Sequence, residues 1–284
     1  SETPIKITKT MKLNLFTKEP TETRTEKYIN LDEFDYMNNR TLLIKSGTGT
    51  GKTTATVKMI KDITKDHKRK VLSIVSRVSL AQQHHKNFND NGIKIKNYMT
   101  LDEQHMNSCD KLVIQLDSLI KIDWRKWKNC IIYVDEINSL LDYLLNSSTL
   151  RSKRMQIWQV FNMLIKNSGW LIGVDADISD NVLSLFSELE ESYYMIHNKY
   201  MNCKNKPAVH YTDKNKMIGV MKAKLKKNKY FVACFDSLRE QSIVIEELKQ
   251  YCERKDLDCK QDFLIYSSRD GDDNSLKNVC VTWK

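Results

Sequence analysis

The run Ser46-Gly47-Thr48-Gly49-Thr50-Gly51-Lys52-Thr53-Thr54 constrains this chain more than any other feature, because it lies directly between a short apolar stretch, Leu42 to Lys45, and an amphipathic helical pattern. A glycine-rich loop joining a buried strand to a helix is the context that a phosphate-binding loop requires. Gly49 and Gly51 free the backbone for conformations closed to other residues, so that successive N–H groups converge on phosphate oxygens, and the helix adds the positive end of its dipole. Lys52 then reaches the β- and γ-phosphates, and the Thr53 hydroxyl is placed to ligate Mg2+. Ser46 stands where the strict pattern has glycine, and a residue that small leaves the turn open. Ser46 to Thr54 is therefore expected to bind a nucleoside triphosphate with Mg2+.

A second element sharpens the chemistry. Ile131-Ile132-Tyr133-Val134-Asp135-Glu136 is an apolar strand that delivers two carboxylates at its carboxyl end. Asp135 fits a magnesium-binding role, and Glu136 is placed to orient and deprotonate an attacking water. An acidic pair after an apolar run is weak evidence alone; beside the loop at Ser46 it favours hydrolysis over a kinase, which has no use for a glutamate aimed at water.

Short β-type runs alternate with helical patterns along the chain, which predicts an α/β fold with a parallel sheet. The expected strands are Thr41 to Lys45, Lys70 to Ser76, Leu112 to Leu116, Asn129 to Val134 and Trp170 to Val174. Helices are expected over Gly51 to Lys65, Ser79 to Asn89, Asn138 to Leu145, Arg151 to Lys166, capped near Gly169, and Ser179 to Glu190. This divides the chain into a polar segment 1–25, a first domain 26–197, a linker 198–207 and a second α/β unit 208–284. The second unit is expected to hold strands Ala208 to Tyr211, Tyr230 to Phe235 and Phe263 to Tyr266, and to be cut short at Lys284.

Composition narrows the setting. Lys and Arg total 46 against 36 for Asp and Glu, a net charge of +10 that favours polyanionic partners such as nucleic acid, although a solvated lysine-rich surface has the same balance. The seven cysteines form no Cys-x-x-Cys pair and no zinc-type spacing, so a zinc site and a disulfide framework are not expected. Ser1 to Thr25 has no apolar core of a secretory signal, and no stretch is long enough to cross a bilayer, so a soluble protein of a reducing, intracellular compartment is expected.

Three further strand ends carry polar residues. Ser76-Arg77-Val78-Ser79-Leu80 offers a hydroxyl, a guanidinium and helix N–H groups to a backbone phosphate, or else Ser79 merely caps a helix. Gln115-Leu116-Asp117-Ser118-Leu119 occupies the equivalent edge, where Gln115 and Ser118 suit a sugar-phosphate backbone and Asp117 or Ser118 equally suits a cap. Asp175-Ala176-Asp177 either couples nucleotide state to domain closure or forms a turn.

Taken in order, these motifs resemble those of superfamily-two helicases, and in particular the herpesvirus-type replication-origin-binding helicases, whose relatives occur in other large DNA viruses, African swine fever virus among them. The resemblance is strong from Tyr28 to Asp177. It implies a RecA-like P-loop domain followed by a second, truncated RecA-like domain, ATP with Mg2+ as cofactors, and movement on single-stranded DNA, with RNA as the alternative track. It also implies other replication proteins as partners and a host-cell cytoplasm or nucleus as location. Asp175-Ala176-Asp177 replaces the Ser-Ala-Thr coupling motif of many such helicases, a departure that the origin-binding group tolerates. No match to the family's arginine finger precedes Lys284, so the resemblance implies ATP binding with slow turnover by this chain. The competing reading is a P-loop switch or scaffold that does not move on DNA.

Overall fold

The computed structural model describes residues 18–257, apart from 190–191, 203, 205–208, 230 and 236, and of residues 66 and 67 it describes the backbone alone. The chain divides into two compact units between residues 206 and 207.

In the first unit the elements run β1 (Glu22–Arg24), β2 (Thr41–Ser46), α1 (Lys52–His67), β3 (Val71–Val75), α2 (Val78–Asp90), β4 (Lys96–Asn97), α3 (Glu103–Ser108), β5 (Lys111–Gln115), β6 (Ile131–Asp135), α4 (Ile137–Asn146), α5 (Arg154–Lys166), β7 (Trp170–Asp175), α6 (Asp180–Glu188) and β8 (Tyr194–Asn198). The eight strands form one sheet in the order β1-β8-β2-β7-β6-β3-β5-β4, and every pairing is parallel. The expected α/β class and parallel sheet are what the fold shows.

Alternation along each central strand feeds two cores. Leu43, Leu72, Ile74, Ile132 and Val134 point to the face covered by α4, α5 and α6, through Ile137, Leu140, Ile157, Phe161 and Val182. Leu42, Ile44, Val71, Val75, Ile131 and Tyr133 point to the other face, against Val57 and Ile60 of α1 and Ala81 and Phe88 of α2. Burial on both faces is why these strands read as unbroken apolar runs. Each aliphatic side chain so buried contributes about 1.5–3 kcal/mol. Gly173 makes room for α4: a β-carbon there would lie 2.7 Å from Ile137 Cδ1 and 2.9 Å from Leu43 Cδ2.

Four sequence expectations need correction. The sheet begins before residue 26, since Glu22–Arg24 pairs with β8; its charged residues disguise an edge strand, which needs only one buried side. The stretch 198–207 is not simply a linker, because Asn198 ends β8 and is buried. Helix α5 stops at Asn167 rather than through a left-handed Gly169, whose place is dictated by Asn129, the O atom of which would lie 2.9 Å from a β-carbon. In the second unit, 209–211 and 231–235 form no strand; Phe231, Ala233 and Phe235 pack instead on a small core, and apolar alternation alone cannot supply a ladder partner.

That core joins α7 (Lys214–Lys226) and α8 (Leu238–Arg254) through Ile218, Met221, Val244 and Leu248. Both helices are capped as their sequences suggest, with the Asp213 side chain accepting from Asn215 N and Ser237 from Glu240 N. The expected strand at Phe263 to Tyr266 lies outside the described residues. Among the described residues no helix is long and apolar enough to cross a membrane.

Candidate nucleotide and nucleic-acid site

The loop between β2 and α1 has the backbone that its glycines allow. Gly49 and Gly51 take positive φ values of 76° and 74°, the left-handed region that side chains disfavour. Gly51 is the N-cap of α1, so the free N–H groups of that helix's first turn open where a phosphate would sit.

Side-chain hydroxyls brace the loop from beneath. Ser46 and Thr50 are buried, and their hydroxyl oxygens lie 2.7 Å apart. Thr50 donates to Gly47 O at 2.7 Å, and Asn198 Nδ2 donates to Ser46 Oγ at 3.0 Å, so the Ser46 hydroxyl donates to Thr50. Serine at the first position is thus used, and not only tolerated. Asn198 also donates to Glu26 O at 2.8 Å and accepts from Glu26 N at 2.9 Å, while Asn202 donates to Thr48 O at 2.6 Å. Sequence inspection missed both asparagines, because a buried amide in a polar stretch looks like any loop residue. Asn198→Ala leaves the half-buried N–H and carbonyl of Glu26 without their partner and takes one of two hydrogen bonds from the buried Ser46 hydroxyl. Its expected cost is about 2–4 kcal/mol, at 1–3 kcal/mol for each orphaned group with partial rescue by water, measured as the shift in urea unfolding of the whole chain.

Lys52 lies along this loop, its Nζ donating to Ser46 O at 2.6 Å and Gly47 O at 3.0 Å. Burial pushes its amine below the ordinary lysine value, against the opposing pull of the Asp135 and Asp175 charges. Thr53, one residue on, donates from Oγ1 to Asp135 Oδ2 at 3.2 Å. Two motifs 82 residues apart therefore meet as a hydroxyl and a carboxylate, the hard oxygen donors that Mg2+ prefers. Thr48 and Thr54 are exposed on the loop and on the first turn of α1.

The Asp135 carboxylate is held from several sides. Burial would raise its pKa, but His84, the Glu136 N–H and the Thr53 hydroxyl outweigh that and keep the carboxyl below the ordinary aspartate value. Tyr133 donates to Oδ2 at 3.3 Å, and Glu136 N donates to Oδ1 at 3.0 Å. Glu136 itself has φ 55° and ψ 48°, left-handed backbone at the N-cap of α4. Such a conformation costs a non-glycine residue of order 1 kcal/mol.

The end of β7 is joined to the same turn. Buried Asp175 accepts from Asn138 N at 2.8 Å and from Asp177 N at 3.1 Å, and Asn138 Oδ1 accepts from Ser179 Oγ at 2.5 Å. Asp177 faces outward and pairs with Lys45 at 3.2 Å. Asp175 is thus a turn aspartate, the second of its two expectations, and it also accepts from the first turn of α4 after Glu136.

The nucleic-acid candidates separate. Arg77 is exposed at the N-cap of α2, and Ser76 beside it is buried with its hydroxyl lacking a hydrogen-bond partner. Ser79 does not cap: Arg77 holds that position, without a side-chain bond. Gln115 is committed internally, accepting from Tyr98 OH at 2.7 Å and donating to Ser76 O at 3.3 Å, while Ser118 is buried and Asp117 accepts from Tyr143 OH at 3.0 Å. A polar residue at a strand end bonds whatever the neighbouring elements present, which sequence cannot reveal.

The chain matches the family described as "Origin of replication binding protein" over residues 11–208. It is 28% identical over 147 residues to the "Replication origin-binding protein" of Human herpesvirus 6A (strain Uganda-1102), a stretch covering 51% of this chain and 18% of that protein. It is also 28% identical over 149 residues to the "Putative replication origin-binding protein" of Acanthamoeba polyphaga mimivirus, 49% of this chain and 18% of that one. The chain matches less than a fifth of the length of either relative. Among solved structures, the DUF1998 helicase MrfA superposes with a TM-score of 0.54 at 17% identity, over 80% of this chain and 38% of that one. The same helicase bound to DNA and AMPPNP gives 0.53 at 17% identity, over 78% and 35%. At that identity the likeness is one of fold alone, a RecA-like parallel α/β domain.

Proposed function

The chain belongs to the origin of replication binding protein family, and from that premise we propose that it is the ATP-driven motor portion of a DNA helicase or translocase acting in DNA replication. The observation that carries the proposal is the 3.2 Å meeting of Thr53 with Asp135, at the mouth of a glycine-shaped loop and one residue from Glu136. A merely structural loop has no reason to converge with a distant acidic strand end.

In this reading the loop N–H groups from Gly47 to Thr54 cradle the phosphates, and Lys52 leaves its carbonyl partners for the β- and γ-phosphate oxygens. Thr53 and Asp135 would hold Mg2+, which when bound neutralises charge on the phosphates. Glu136 orients the attacking water and takes its proton. Arg77 contacts the backbone of single-stranded DNA, and buried Ser76 does not reach it. Asp175 transmits the state of the Glu136 turn to β7, and Asp177 extends that link toward Lys45. Other replication proteins are the expected partners.

The test is steady-state ATP hydrolysis with and without single-stranded DNA, with single-stranded RNA in parallel. DNA-stimulated turnover that weakens as salt rises supports a motor on DNA. Turnover indifferent to both polymers favours a nucleotide switch, and stimulation by RNA alone reassigns the track.

A further inference from the structure

His84 is buried beneath the metal end of the site, and the chemistry described so far gives it no task. It lies on α2 among the inward residues Ala81, His84 and Phe88. A polar ring at an apolar position is costly unless its nitrogens are served. Nδ1 is 2.8 Å from Ser73 Oγ on β3, and Nε2 is 3.5 Å from Asp135 Oδ2, a long contact, with no nearer partner. A carboxylate only accepts, so the tautomer that serves both sides carries its proton on Nε2 and accepts the Ser73 hydroxyl at Nδ1. Tyr133 and Phe88 hold the ring laterally, with centroids at 5.4 Å and 6.4 Å.

Asp135 Oδ2 therefore faces Thr53, Tyr133 and His84, and of these only His84 belongs to α2. The same helix begins directly after Ser76 and Arg77. From Arg77 to His84 is about two turns, roughly 10 Å of rigid helix. Carboxylates and imidazoles around a metal are commonly oriented by such outer partners, whose loss weakens metal affinity by about 10–100-fold.

We propose that His84 is a positioning residue that aims the Asp135 carboxylate and ties it to α2, so that nucleic acid engaged at Arg77 alters the magnesium requirement of hydrolysis. The inference rests on the nucleotide site and the Arg77 contact proposed above.

The experiment measures, on the full chain, the Mg2+ concentration giving half-maximal ATP hydrolysis, with and without single-stranded DNA. The variants are His84→Phe combined with Ser73→Ala, and His84→Gln. The double variant removes both members of the buried Ser73–His84 pair and leaves Asp135 Oδ2 its Thr53 and Tyr133 donors, while His84→Gln retains an N–H donor. The double variant is expected to raise the Mg2+ requirement by about tenfold or more and to abolish the effect of DNA on it, with the nucleotide-free melting temperature little changed. His84→Gln is expected to restore part of both. If the double variant does not fold, Ser73→Ala alone carries the test, with a smaller rise in the same direction. A Mg2+ requirement equal to wild type in every folded variant overturns the inference, as does a fall in kcat with that requirement unmoved. A wild-type chain whose melting temperature is not raised by ATP with Mg2+ overturns the nucleotide site itself, a distinguishable failure.

Discussion

Glu136→Gln will still bind ATP but will turn it over at least about a hundredfold more slowly, the lower end of what a positioned general base contributes. The substitution keeps the shape and length of the side chain and removes only its ability to take a proton. It leaves Thr53, Lys52 and the Asp135 carboxylate where they are, so the thermal stabilisation given by ATP with Mg2+ should match wild type. The left-handed backbone at this position adds a second expectation. Glu136→Gly relieves the conformational penalty and should raise stability in urea by up to about 1 kcal/mol while also abolishing turnover. A Gln variant with near wild-type hydrolysis would remove Glu136 from the chemistry and leave its strained turn as a structural matter.

Lys52→Ala attacks binding instead. Without nucleotide the Lys52 amine rests on Ser46 O and Gly47 O, and burial already disfavours its charge, so its removal costs the free protein little. With nucleotide the same amine faces phosphate oxygens, where a charged hydrogen bond is worth about 1.5–3 kcal/mol. A loss near 2 kcal/mol corresponds to about thirtyfold weaker binding. At an ATP concentration about one hundred times the wild-type Kd, ligand stabilisation of about 2.7 kcal/mol should drop to about 1 kcal/mol. Melting temperatures with and without ATP and Mg2+ read this directly. Equal stabilisation of both proteins would mean that nucleotide is held elsewhere or that Lys52 does not reach it.

The conformation of the glycine-rich loop was legible because its requirements are local. Gly49 and Gly51 take left-handed φ, Lys52 follows at fixed spacing, and the apolar run of β2 ends where the loop starts; each is a property of adjacent residues. The central strands were legible for a related reason, since burial on both faces writes itself as unbroken apolar sequence. The position of Asp135 and Glu136 at a strand end was legible from the apolar run of Ile131 to Val134.

What sequence left hidden depends on partners far along the chain. Gln115 looked available for nucleic acid until Tyr98 and Ser76 engaged it. Residues 198–202 looked like a linker until Asn198 and Asn202 were found supporting the loop from more than 150 positions away. His84 had one faint signal, a polar ring at the inward spacing of Ala81 and Phe88, and nothing in sequence pointed it at Asp135. The sequence by itself determined the parallel α/β class and the backbone of the glycine-rich loop, because backbone conformation and hydrophobic burial are read from neighbours. Tertiary structure alone decided which polar groups are spent inside the protein, because a hydrogen bond is a property of two groups, and folding chooses the second.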